Sequence, residues 1–150
     1  MRWGSIRRFA RLGREWFCAV AGRERKTEEL VLDIDYTSDP TQQLSFFNGH
    51  YDTYMYHPLL IFEGGSGVLL ASTLRAGNVA GIGQLLPLLR PLVAELRQCL
   101  PQRAIALRAD GEFAKPNLLD FAEYAGCSYA IGMPRNPKLE ARAQRLRRRA

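Results

Sequence analysis

One apolar segment that carries two acids at alternate positions constrains this chain more than any other feature. Leu30-Val31-Leu32-Asp33-Ile34-Asp35-Tyr36-Thr37 is rich in strand formers, and strand side chains repeat every second residue. Asp33 and Asp35 therefore share one face, while Leu32, Ile34 and Tyr36 share the other. A buried, uncompensated carboxylate either loses its charge or strongly destabilises the fold. A cation is therefore expected beside the pair, and a divalent metal is the usual one. The plainer alternative is a strand at a sheet edge, with one or both acids solvated.

The 150 residues suffice for one domain with a core that needs neither disulfides nor metals. Cys18, Cys99 and Cys127 form no C-x-x-C pair and have no histidine at ligand spacing. Neither a zinc site nor a disulfide framework is expected, and the three read as reduced thiols of a cytoplasmic protein. His50 and His57, seven residues apart on a strand-like segment, suit structural or surface roles better than metal ligation. No membrane segment is expected, because Arg90, Glu95 and Arg97 interrupt the most apolar window, Leu85 to Leu100, and no signal core follows the first arginines.

The formal net charge of +6 conceals an asymmetry. Met1 to Lys26 holds 8 basic and 2 acidic residues, Arg135 to Ala150 holds 7 and 1, and the stretch between holds 6 and 12. Basic ends around an acidic body suit a protein whose arms meet phosphates while its centre gathers carboxylates around metal ions. Solubilising tails or water-facing helices would give the same pattern.

Along the chain, Met1 to Gly22 spaces Trp3, Ile6, Phe9 or Ala10, Trp16 or Phe17 and Val20 by three and four, a basic amphipathic helix that runs into a charged linker, Gly22 to Glu29. After the strand Leu30 to Thr37 comes a turn, Ser38 to Thr41, then an aromatic connection, Leu44 to Gly49, closed by Asn48-Gly49. Tyr51 to Glu63 reads as a second strand, with Pro58 marking a bulge, bend or edge, and Val68 to Leu74 as a third after the turn Glu63 to Gly67. These three make an antiparallel meander, and Asn78 is placed to cap the next helix. Val79 to Cys99 carries a helical stripe at 82, 85, 86, 89, 92, 93 and 96, with Pro87 and Pro91 predicting a kink or a late start near Pro87. Ala104 to Leu107 is a short buried strand ending in Arg108-Ala109-Asp110-Gly111, Pro116 to Tyr124 a helix, Ser128 to Met133 a fifth strand, and Arg135 to Ala150 a basic helix.

Strand, strand, strand, helix, strand, helix, strand is the order of ribonuclease-H-like α/β folds, a mixed sheet of three antiparallel strands followed by helix-strand-helix-strand. The first and fourth strands are neighbours in that layout, which brings together Asp35 and Asp110 from 75 positions apart. Two close carboxylates repel unless a cation lies between them. Mg2+ or Mn2+ fits best, and such a pair can hold two ions for phosphodiester transfer.

Three stretches carry a family resemblance: Leu-Asp-Ile-Asp-Tyr-Thr-Ser-Asp-Pro at 32 to 40, Leu-Ser-Phe-Phe-Asn-Gly-His-Tyr-Asp-Thr-Tyr-Met-Tyr-His-Pro-Leu at 44 to 59, and Leu-Arg-Ala-Asp-Gly-Glu-Phe at 107 to 113. With these motifs in order, about residues 27 to 140 resemble bacterial insertion-sequence transposases of the DDE class. The resemblance implies a ribonuclease-H-like catalytic domain that cuts and joins DNA with two divalent ions. It places the first catalytic aspartate at Asp35, with Asp33 competing, and the second at Asp110, so that Asp35 and Asp110 are the implied metal ligands. Gly111-Glu112 departs from the family order, in which a small residue and then glycine follow the aspartate. The family's glutamate has no match in its tyrosine, arginine and glutamate pattern, although Glu140 lies after the fifth strand.

The implied organisation is a basic helix and linker at 1–26, a partial catalytic domain at 27–134 and a truncated basic helix at 135–150. It implies a fragment of a decayed or interrupted element, inactive in transposition alone, whose complete form binds the insertion-sequence ends as DNA partner and could be a homodimer. A non-catalytic DNA-binding remnant and a stand-alone nuclease completed by Glu112 or Glu140 are the other readings. Phe46, Phe47, Tyr51, Tyr54 and Tyr56 suit sheet packing or base stacking, Gly64-Gly65-Ser66-Gly67 a turn rather than a phosphate loop, and Arg108 a place on the face of Asp110.

Overall fold

The structure is a computed structural model that describes residues 4–23, 29–40, 45–50, 52–78, 82–134 and 136–147. The chain starts with helix α1 (Gly4–Ala21), whose Ala10, Phe17 and Ala21 are buried at helical spacing. Trp3 and most of the charged linker lie outside the described residues. Strand β1 (Leu30–Tyr36) buries Leu30, Leu32 and Ile34 and turns its acids to the other face, the alternation expected of a half-covered strand. Three short strands follow: β2 (Asp39–Pro40), β3 (Phe46–Asn48) and β4 (Thr53–Tyr56). Then come β5 (Leu59–Glu63) and β6 (Leu69–Thr73), helix α2 (Leu85–Cys99) and strand β7 (Ile105–Ala109). A 3-10 turn at Gly111–Phe113 leads to α3 (Pro116–Tyr124), β8 (Ser128–Ile131) and α4 (Pro137–Arg147). Pro116 suits the first turn of α3 because its missing donor would be unpaired there anyway.

The main sheet has the order β6-β5-β1-β7-β8. β1 runs antiparallel to β5 and parallel to β7, and β7 runs parallel to β8. This is the ribonuclease-H-like layout expected from the order of elements. A smaller sheet, β2-β4-β3, was not foreseen, since Asp39-Pro40 reads as a turn and Phe46 to Asn48 as a connection. Its β2–β4 pairs, Asp39 with Tyr56 and Pro40 with Met55, continue the β1–β5 register of Tyr36 with Leu59. The expected second strand is thus one ladder interrupted at His57-Pro58, where proline removes a donor.

The core lies on one face of the main sheet. Leu30, Leu32, Ile34, Leu59, Ile61, Ile105 and Leu107 meet Phe17 of α1, Leu85, Leu89, Val93 and Leu96 of α2, and Leu118 and Phe121 of α3. The basic first helix packs on this body, with Arg14 Nη1 donating to Leu70 O at 2.8 Å and Arg14 Nε lying 2.8 Å from Glu95 Oε2. Helix α2 starts at Leu85, as its prolines suggest, with Gln84 and not Asn78 at its N-cap. The cysteine expectation is corrected as well. Cys18 of α1 and Cys99 of α2 form a disulfide across 81 residues, which no sequence spacing indicates because helix packing brings them together. Cys127 is free and buried.

Two outcomes are expected from this packing. Thiol titration of the chain denatured without reductant should count one reactive cysteine and not three, and a count of three would exclude the bridge. The β5–β6 turn depends on Glu63, whose carboxylate accepts from Gly65 N at 3.1 Å and Ser66 N at 2.6 Å. Burial alone would raise its pKa, but the bonds from Ser66 and the two amides outweigh it and hold it below the ordinary value. A carboxylate depressed in the fold stabilises above its unfolded pKa and loses that contribution as pH falls through the folded one. Glu63→Gln should therefore cost about 1–2 kcal/mol at neutral pH and little in strong acid, read from melting curves at both pH values.

Candidate active site

Parallel pairing of β1 and β7 matches Leu30 with Ile105, Leu32 with Leu107, Asp33 with Arg108 and Ile34 with Ala109. Asp35 and Asp110 each come directly after this last pair, and the backbone of Asp110 stays extended (φ −78°, ψ −179°). Neighbouring strands lie about 4.8 Å apart, so the two backbones are close enough for both carboxylates to reach one ion. Asp33, Asp35, Arg108 and Asp110 line the same open cleft of about 600 Å3, together with Phe62 and Gly64. The acids from two distant stretches of sequence therefore share one face.

Their partners separate them into two kinds. Arg108 grips Asp33 with both arms of its guanidinium, Nε to Oδ1 at 2.5 Å and Nη2 to Oδ2 at 2.6 Å. The hydrogen bond and charge of Asp33 raise the already high pKa of Arg108. A planar bidentate pair of this kind uses both oxygens of the acid and leaves Asp33 poorly suited to hold a metal. Asp35 Oδ1 accepts only from the next amide, Tyr36 N, at 2.7 Å, and Asp110 Oδ1 from Glu112 N at 3.0 Å. Among the described residues neither acid has a basic partner, and each keeps its second oxygen clear of protein donors.

Two glycines let the exit of β8 pass close to the end of β7. A Cβ on Gly132 would sit 3.0 Å from Gly111 N, and one on Gly111 3.2 Å from Pro134 N. The exit of β8 therefore crosses directly over the Asp110-Gly111 turn, held by Gly132 N donating to Ala109 O at 3.1 Å. A side chain at the position after Asp110 would thus crowd the exit of β8.

Two carboxylates at this spacing fit a hard divalent cation that keeps several waters. Among the described residues no group of three or more acidic, histidine or cysteine side chains is gathered as a metal cluster. Glu140 lies exposed on α4, and neither it nor Glu112 lines the cleft. Glu112 instead acts on His57 and Arg75. His57 is buried, and burial first, then the Arg75 charge, lowers its pKa, with Glu112 partly opposing. His50 is exposed. Sequence reasoning missed the buried Arg75, because Arg75-Ala76-Gly77-Asn78 has the composition of a solvent-facing turn.

On the far side of the sheet, a second hollow of about 560 Å3 between α1, β6 and α2 is lined by no acid. Among the described residues no helix is long and apolar enough to cross a membrane.

The chain matches the model of the family described as Transposase DDE domain group 1 over residues 3–150. No curated protein matches it significantly. A solved piggyBac transposase synaptic complex with hairpin DNA is similar at 17% identity over 73% of this chain and 24% of that one, with a TM-score of 0.44. The Mos1 transposase catalytic domain with raltegravir and Mg is similar at 12% identity over 90% and 63%, with a TM-score of 0.48. The Mos1 mariner paired end complex with Mn is similar at 11% identity over 90% and 44%, with a TM-score of 0.46. This chain spans less than two thirds of each of those solved chains. The family match, by contrast, runs through both strand-end aspartates and nearly the whole sequence, and this chain belongs to the transposase DDE domain group 1 family.

Proposed function

We propose that Asp35 and Asp110 are the metal-holding pair of a DNA phosphodiester-transfer centre, the chemistry of a DDE transposase. The observation that carries this reading is the β1–β7 register, which sets the two acids side by side in one cleft while Arg108 occupies Asp33. Asp35 is thereby favoured over Asp33 as the first acid. Mg2+ or Mn2+ bound there supplies Lewis acidity to the phosphate and offsets the charge that builds on its oxygens. The amides of Tyr36 and Glu112 orient one oxygen of each acid and leave the other for the ion. Exposed Arg8 and Arg11 of α1, with Lys138 and Arg142 of α4, add the positive charge that DNA phosphates need.

The test is Mn2+ titration of the full chain, followed by electron paramagnetic resonance. Asp35→Asn and Asp110→Asn should each weaken binding at least about tenfold, whereas the double variant Asp33→Asn, Arg108→Gln, which removes that pair together, should leave it within about threefold. Equal affinity in Asp35→Asn would sink the assignment. DNA binding should strengthen with Mn2+ in the wild type and not in Asp110→Asn, whereas a metal-independent DNA-binding remnant would show no difference between them.

A further inference from the structure

Behind the two carboxylates, on the helix-covered face of the sheet, lies a buried polar and aromatic cluster that the chemistry above does not use. Tyr36 follows Asp35 and turns to that face. Its ring meets His57 edge-on at 4.2 Å, Phe113 at 5.5 Å and the Arg75 guanidinium at 5.5 Å. Arg75 is 1% exposed, Phe113 0% and His57 7%, so the partners of the half-buried Tyr36 ring are withdrawn from water. Arg75 Nε donates to His57 O at 3.0 Å, and His57 N donates to Arg75 O at 3.0 Å. An arginine buried this deeply is costly unless its charge is met, and the face of Tyr36 meets part of it.

The cluster reaches the acids through the backbone. The amide that orients Asp35 belongs to Tyr36, and the amide that orients Asp110 belongs to Glu112, the residue before Phe113. Tyr36 and Phe113 touch each other, so the two orienting amides hang from opposite sides of one ring contact. Moving either ring would turn one carboxylate relative to the other.

We propose that Tyr36, Phe113 and Arg75 are positioning residues, which set the spacing and orientation of Asp35 and Asp110 from beneath the sheet. The inference rests on the metal reading of the cleft, and its test separates the two. In the full chain, Tyr36→Phe keeps the ring contacts and should hold Mn2+ affinity within about twofold, whereas Tyr36→Leu and Phe113→Leu should lower it about tenfold while still melting cooperatively. Hydrogen exchange without metal gives the second readout. The amides of Tyr36 and Glu112 should exchange faster in the leucine variants, with those of α3 unchanged. Should Tyr36→Leu fail to fold, Phe113→Leu and Arg75→Met carry the same comparison. If the wild type binds no Mn2+, the metal reading fails and the exchange data alone decide the positioning role. Unchanged exchange at both amides in a folded variant, or unchanged Mn2+ affinity where the wild type binds, would overturn it.

Discussion

Parallel pairing of β1 with β7 is the interaction on which the rest of the molecule depends. Its register is held from the apolar side, where Leu30 lies beside Ile105 and Leu32 beside Leu107, all buried. Because side chains alternate, burying those leucines and isoleucines obliges the residues between them to face the other way. A slip of one residue would turn the acids into the core and the leucines into water. The positions of Asp33, Asp35, Arg108 and Asp110 therefore follow from hydrophobic pairing, and the carboxylates are brought together by a force that does not act on them.

Once together, the charges sort themselves by reach. Arg108 stands directly beside Asp33 on the neighbouring strand and closes a two-armed ion pair with it. Asp35 and Asp110 lie one step beyond, past the end of β7, where no basic side chain among the described residues reaches them. Their mutual repulsion is tolerable because the cleft is open and water screens it. The same openness admits a hydrated ion. In an acid pair both close and sealed, with no cation between them, one carboxyl would be held protonated.

Much of this was readable in the sequence, and the reasons differ from element to element. Alternation marked β1, and helical spacing with an N-terminal proline marked Pro116–Tyr124 to the residue. The neighbourhood of Asp35 and Asp110 came from the order of elements, since nothing local links positions so far apart. The choice between Asp33 and Asp35 stayed open because both lie on one face, and only the partner of Asp33 separates them. The Cys18–Cys99 bridge and the Tyr36 cluster were not legible, for both join residues through packing that leaves no spacing in the chain. Asp39-Pro40 was read as a turn on composition, yet it pairs as a strand because Tyr56 and Met55 lie opposite in unbroken register.

Two registers, one on each edge of β5, run unbroken past His57-Pro58 and explain how the cluster under the acids arises. The ladder of β1 with β5 passes into that of β2 with β4 without losing a residue, so the interruption at His57-Pro58 is a bend and not a slip. Across the bend, Thr37 N still donates to Pro58 O at 3.1 Å on one edge, while His57 N, on the other edge, donates to Arg75 O. The bond from His57 N to Arg75 O continues the β5–β6 register of Leu59 with Thr73 as far as the Tyr56–Ala76 bridge, and the Arg75 side chain turns inward to His57 O. Proline at 58 removes the donor that would face Thr37 O and leaves the His57–Arg75 bond on the opposite edge intact. That continued pairing on the β6 side is what carries a cation beneath Tyr36, at the point where β1 delivers Asp35 to the cleft.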